Sequence, residues 1–215
     1  MTTGEDGFSM IELMISLAIG MVVLALVLVS LTTFLQTGYN GVATGQAADN
    51  MALVMTVIRR QVINADVLYN PATEGTNAGA TIPAGFSLRM LTAGARTTAS
   101  PHTTLATATV PTCVQWRLLK TGSLQDRSWP TGRTTAARPW HTAATGIVNT
   151  RPGTPPFVLD TTGAYQHRVV KLSFSLPETT KSSGTALVVK SSVTALDAQF
   201  FNPTAGQYCG SVPSP

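Results

Sequence analysis

The dominant pattern in the chain is an apolar run over residues 7–35, GFSMIELMISLAIGMVVLALVLVSLTTFL. Residues 13–31 carry no charge. As a helix that stretch rises roughly 28 Å, about one hydrocarbon core. A cleaved secretory signal would have a basic start, a shorter apolar core and small residues at a cut after it. The first residues, MTTGED, contain no Lys or Arg, and no A-x-A-like site follows the run. The run therefore reads as a retained membrane helix, residues 8–35. Gly38, Gly41 and Gly45 follow. Each weakens a helix by about 1 kcal/mol relative to Ala, so a soft or partly melted stretch, or a break, is expected there.

Helical periodicity resumes with Met51, Val54, Met55, Ile58, Val62 and Ala65, while Asn50, Arg59, Gln61 and Asn64 take the other surface. This predicts an amphipathic helix within residues 36–69, laid on a sheet and ended by Tyr69-Asn70-Pro71. Beyond it, residues 70–215 read as a β-rich domain. Alternation predicts strands over 86–90, 113–118, 124–129 and 168–176, with shorter ones at 146–149 and 157–159 and a pairing strand over 186–196. Lys120-Thr121-Gly122-Ser123 is the turn of a hairpin. Pro/Gly/Thr-rich segments separate the rest. A long helix followed by many strands is an α+β plan, with the helix packed on an antiparallel sheet.

Glu12 sits at the entrance to the apolar run, and no Lys, Arg or His lies within the next thirty residues of the helix. An acid in that setting needs a reason. It could snorkel to headgroups, or it could meet a new α-amino group if the chain were cut after Gly7, four residues before Glu12.

The order Gly7-Phe8-Ser9-Met10-Ile11-Glu12-Leu13 before an apolar helix closely resembles the class III signal of type IV pilins and type II secretion pseudopilins. The resemblance implies residues 1–7 as a leader peptide, cut between Gly7 and Phe8 by a prepilin peptidase that then methylates the Phe8 amine. It implies Glu12 as the assembly residue. The leader departs from the usual basic pattern by carrying Glu5 and Asp6. Residues 9–20, SMIELMISLAIG, and the stretch Ile58-Arg59-Arg60-Gln61-Val62-Ile63-Asn64-Ala65 are similar to PilW-type minor pilins, and the chain length also suits GspJ-like subunits. The implied function is a structural minor pilin that helps initiate or cap a type IV pilus. The alternatives are a pseudopilin of a secretion or DNA-uptake system, a fibre-tip subunit that binds DNA or a surface, and a plain single-pass membrane-anchored protein. The implied partners are the prepilin peptidase, other major and minor pilins, the inner-membrane assembly platform, and lipid before assembly. The implied location is the inner membrane with the C-terminal domain exported, and then a fibre at the cell surface.

Composition adds little to this. Charged residues make up only 11%, and the net charge of +4 is mostly arginine. Arg127, Arg133, Arg138 and Arg151 are spread near Trp129 and Trp140. Phosphate contact and base stacking would use those residue types, and so would an ordinary loop. The two cysteines, Cys113 and Cys209, fit no zinc or redox spacing. In an exported domain a disulfide between them is expected; two free buried thiols are the alternative. His102, His141 and His167 form no metal-spaced pair, no nucleotide-binding or hydrolase motif is present, and the few acids suggest no carboxylate pair. The expectation is no catalytic residue, no metal and no cofactor.

Overall fold

The structure, a computed structural model, describes residues 9–75, 82–92, 111–149, 153–160, 162, 168–177, 186–196, 198–200 and 208–213. Helix α1 spans Met10–Ile63, 54 residues. The glycine-containing stretch expected to soften or break is helical throughout. Three isolated glycines among good helix formers do not outweigh the cooperativity of an already nucleated helix. The chain divides into two compact units, Met1–Gly45 and Gln46–Pro215.

The second unit holds two sheets. The strands are β1 (Ala65–Leu68), β2 (Ser87–Thr92), β3 (Thr112–Leu118), β4 (Leu124–Pro130), β5 (His141–Ala144), β6 (Phe157–Asp160), β7 (Val169–Leu176), β8 (Leu187–Thr194) and β9 (Gln199–Phe200). The larger sheet has the order β5-β4-β3-β2-β1-β9, and the smaller has β6-β7-β8. All neighbours pair antiparallel except β1 with β9, which is parallel.

Two expectations are corrected. Residues 65–68, read as the end of the amphipathic helix, form β1, because Val67 and Leu68 pair with Leu91 and Met90 of β2. Residues 146–149, read as a short strand, form none; the strand of that region is β5, upstream. The α+β plan of a long N-terminal helix with antiparallel sheet stands, its strands divided between two sheets.

One core joins the elements. Met51, Met55, Ile58 and Val62 of α1 pack with Leu88, Met90, Trp116, Leu118 and Leu124 of the larger sheet, and with Phe157, Leu172 and Phe174 of the smaller. Period 3.6 on the helix and period 2 on the strands bring these side chains to a common centre. Burying each large side chain contributes roughly 1.5–3 kcal/mol. Trp116 Nε1 donates to Gln61 Oε1 at 2.7 Å, so the helix also satisfies a polar atom of the sheet. The β3–β4 turn requires Gly122. Its φ is +80°, and an added Cβ would sit 2.5 Å from the Ile147 carbonyl oxygen.

Candidate functional site

Two places concentrate unusual chemistry: the start of α1 and the outer face of the larger sheet. Gly7 and Phe8, read as the cleavage and methylation site, lie outside the described residues. From Ser9 onward the chain is described. The Ser9 carbonyl accepts from the Glu12 and Leu13 N–H groups at 3.0 and 3.2 Å, so Ser9 caps the helix and Glu12 lies in its first turn. Ser9-Met10-Ile11-Glu12 is also the spacing of a capping box. A carboxylate in the first turn meets the positive end of the helix dipole. This local stabilisation of Glu12 follows from the spacing and leaves room for a cationic partner beside it.

Met10–Tyr39 is the one helical segment among the described residues long and apolar enough to cross a membrane, and none of its most apolar window is buried. Its serine and threonine hydroxyls are satisfied along the helix itself. Ser16 donates to the Glu12 carbonyl, Ser30 to Leu26, Thr32 and Thr33 to Val29, and Thr37 to Thr33, at 2.8–2.9 Å. Hydroxyls bonded this way can enter hydrocarbon without leaving an unpaired donor.

On the larger sheet, alternation sends one set of side chains away from the main core. This outer face carries a second, smaller cluster: Val67, Tyr69, Leu91, Cys113, Trp129 and Cys209. Cys113 and Cys209 are joined by a disulfide with Cα atoms 5.7 Å apart, which draws residues 208–213 onto the face. Arg89, 4% exposed, donates through Nη1 to the Cys209 carbonyl at 2.6 Å and through Nη2 to Glu74 Oε1 at 2.8 Å. Its guanidinium lies 3.9 Å from the Tyr69 ring centre, and the Tyr69 hydroxyl accepts from the Cys209 N–H at 3.0 Å. Burial pushes the Tyr69 phenol up, against the opposing pull of Arg89.

Arg127 lies further along the same face. Its Nε and Nη2 donate to Gln115 Oε1 at 3.1 and 2.9 Å, and Nη2 also donates to the Pro213 carbonyl at 3.0 Å. Trp140 carries both Arg117 and Arg127 on its ring, at 3.7 and 4.2 Å. Burial, and then the charge of Arg117, lower Arg127 to about 10, so it stays cationic at neutral pH.

These contacts correct the nucleic-acid reading at its centre. Arg127 is 4% exposed and Trp129 is 1% exposed, so neither offers a surface to a phosphate or base. Arg133 and Arg138 are exposed on the β4–β5 connection, and Arg151 lies outside the described residues. The structure thus separates the three described arginines: Arg127 is buried in the scaffold, whereas Arg133 and Arg138 lie on an open surface. The residues that sequence reasoning missed are Tyr69, Glu74 and Arg89. Alternation along β2 places Arg89 opposite Leu88 and Met90, but nothing local marks a carboxylate from a loop as its partner.

Among the described residues no catalytic arrangement accompanies these features. His141 is exposed and pairs with Asp126 at 2.9 Å, while His102 and His167 lie outside the described residues. Among the described residues no group of three His, Cys, Asp or Glu could hold a metal ion. An open depression of about 250 Å³ is lined by Thr56, Arg59, Arg60, Ile63 and Asn64, without a nucleophile or a general base among them.

No curated protein and no solved structure matches the chain. Residues 3–28 match the family model described as the prokaryotic N-terminal methylation motif. The matched segment covers the Gly7-Phe8 bond, Ser9, Glu12 and the first turns of the exposed apolar helix. That motif points to a structural protein rather than an enzyme. At residues 3–28 the chain is similar to the prokaryotic N-terminal methylation motif, which supports a type IV pilin-like precursor.

Proposed function

We propose that the protein is a minor pilin precursor, PilW-like in type, whose α+β domain is exported while its N-terminal helix stays in the inner membrane until assembly. A prepilin peptidase removes residues 1–7 and methylates the Phe8 amine. The processed helix then enters a type IV pilus, helping to initiate or cap the fibre alongside other pilins. The observation that carries this reading is the methylation motif running directly into an apolar helix that the chain's own fold leaves uncovered.

The chemistry of the start of α1 supports it. Glu12 has the helix dipole for partial compensation but no basic residue on its own segment. The freed Phe8 amine of a neighbouring subunit would supply the opposite charge, and removal of Glu5 and Asp6 would take away two repelling ones. A fully buried pair of this kind loses about 3–5 kcal/mol when one partner is removed. Glu12→Ala should therefore give a stable, processed protein that joins the fibre poorly.

Intact-mass analysis of the protein from its native host tests the reading. The expected product begins at Phe8 and carries one added methyl group. A mature chain that still begins at Met1 or Thr2 would overturn it in favour of a plain membrane anchor.

A further inference from the structure

Residues 208–213 lie on the outer face of the larger sheet and are held there through side chains and a disulfide. The hydrogen bonds described above between residues 208–213 and the sheet run through outer-face side chains: Tyr69, Arg89 and Arg127. The covalent tether is Cys113–Cys209. The main core contains no residue of this segment, whereas the small outer cluster contains both cysteines. The two clusters lie on opposite faces of one sheet, so the inner one keeps all its packing if the segment lifts. Local opening of this kind is expected where few apolar contacts hold a segment.

We propose that residues 208–213 form a disulfide-latched strap, which opens as a unit when Cys113–Cys209 is reduced and uncovers Arg89, Arg127 and Trp129 while the inner core stays folded. The reductant is a dithiol. Its thiolate attacks one cysteine sulfur to give a mixed disulfide. Its second thiol then displaces that sulfur, closing a cyclic disulfide and delivering two electrons and two protons to the two cysteines. On opening, two guanidinium groups lose the carbonyls of Cys209 and Pro213, and a buried indole loses its cover. The latch is a property of the domain and does not depend on how the N-terminal helix is used.

The full chain in detergent micelles tests this, compared before and after dithiothreitol and as the Cys113→Ser/Cys209→Ser double variant. Hydrogen exchange in residues 208–213 should accelerate by at least about tenfold, with residues 51–62 of α1 and strand β7 unchanged. Phenylglyoxal should label the exposed Arg133 and Arg138 in both states, and Arg89 and Arg127 only after reduction. Loss of protection in residues 51–62 or β7 along with the strap would show one cooperative unit and overturn the proposal. Arg89 and Arg127 still unlabelled after complete reduction would overturn it as well.

Discussion

Residues 10–39 and residues 46–63 belong to one helix and draw on the same apolar side chains, yet the two stretches solve different problems. In the first, Leu13, Leu24 and Phe34 are 60%, 60% and 73% exposed, and apolar residues surround the axis. In the second, Met51, Ile58 and Val62 are 1%, 0% and 0% exposed, whereas Leu53 on the other side is 68% exposed. An all-round apolar helix needs a bilayer or neighbouring helices as its solvent. A striped helix finds its solvent in the chain's own sheets. The difference lies in where polar residues fall: residues 13–39 carry no charge, whereas Asp49, Asn50, Arg59, Arg60 and Gln61 interrupt the second stretch and leave its apolar residues on one stripe.

The largest expected effect breaks this comparison directly. Ile58→Asp places an unpaired charge in the main core and should unfold the β-domain, a loss above about 4 kcal/mol. Leu24→Asp should leave the domain's thermal transition where it is and instead weaken membrane insertion by about 2.5–3.5 kcal/mol. Thermal unfolding in detergent and membrane fractionation read the two outcomes. A common fall in Tm for both variants would mean that the two stretches are not energetically distinct.

A smaller effect sharpens the contrast between the faces of the second stretch. Gln61→Ala removes the acceptor of the Trp116 indole and leaves a buried donor, costing about 1–3 kcal/mol in denaturant unfolding. Thr56→Ala, on the exposed side, removes only a hydroxyl that bonds Ala52 of its own helix and should stay within about 0.5 kcal/mol.

The smallest effect concerns the edge of the smaller sheet. Asp160 is held well below the usual carboxylate range, first by its hydrogen bond to Lys171 and then by the Thr162 N–H and hydroxyl. A depressed carboxyl stabilises the fold above its unfolded value, about 3.9, and that contribution fades as pH falls toward the folded value. Asp160→Asn should therefore lower Tm slightly at pH 7, with the difference from the unsubstituted chain shrinking below about pH 4. A difference that grows on acidification would reverse the assignment.

Much of this was legible along the chain. The apolar run, the striped segment and the alternation of β7 are local periodicities, and each leads to its element without knowledge of the rest. The N-terminal signal is equally local, since Gly7, Phe8, Ser9 and Glu12 fall within six consecutive residues. The end of α1 was not legible. Residues 65–68 continue a helical pattern, but pairing with β2, which begins some twenty residues later, makes them a strand. The burial of Arg127 was not legible for a related reason: composition reveals charge but not cover.

By itself, then, the sequence determined a membrane-length helix with an N-terminal methylation signal, and an α+β domain to follow, because hydrophobic period and a short motif are properties of neighbouring residues. The tertiary structure alone decided that two sheets share one core. It also decided that Arg89 and Arg127 are buried donors rather than surface cations, and that residues 208–213 close the outer face. Those outcomes depend on contacts between positions up to 140 residues apart, such as Tyr69 with Cys209, and contacts at that range leave no trace in local periodicity.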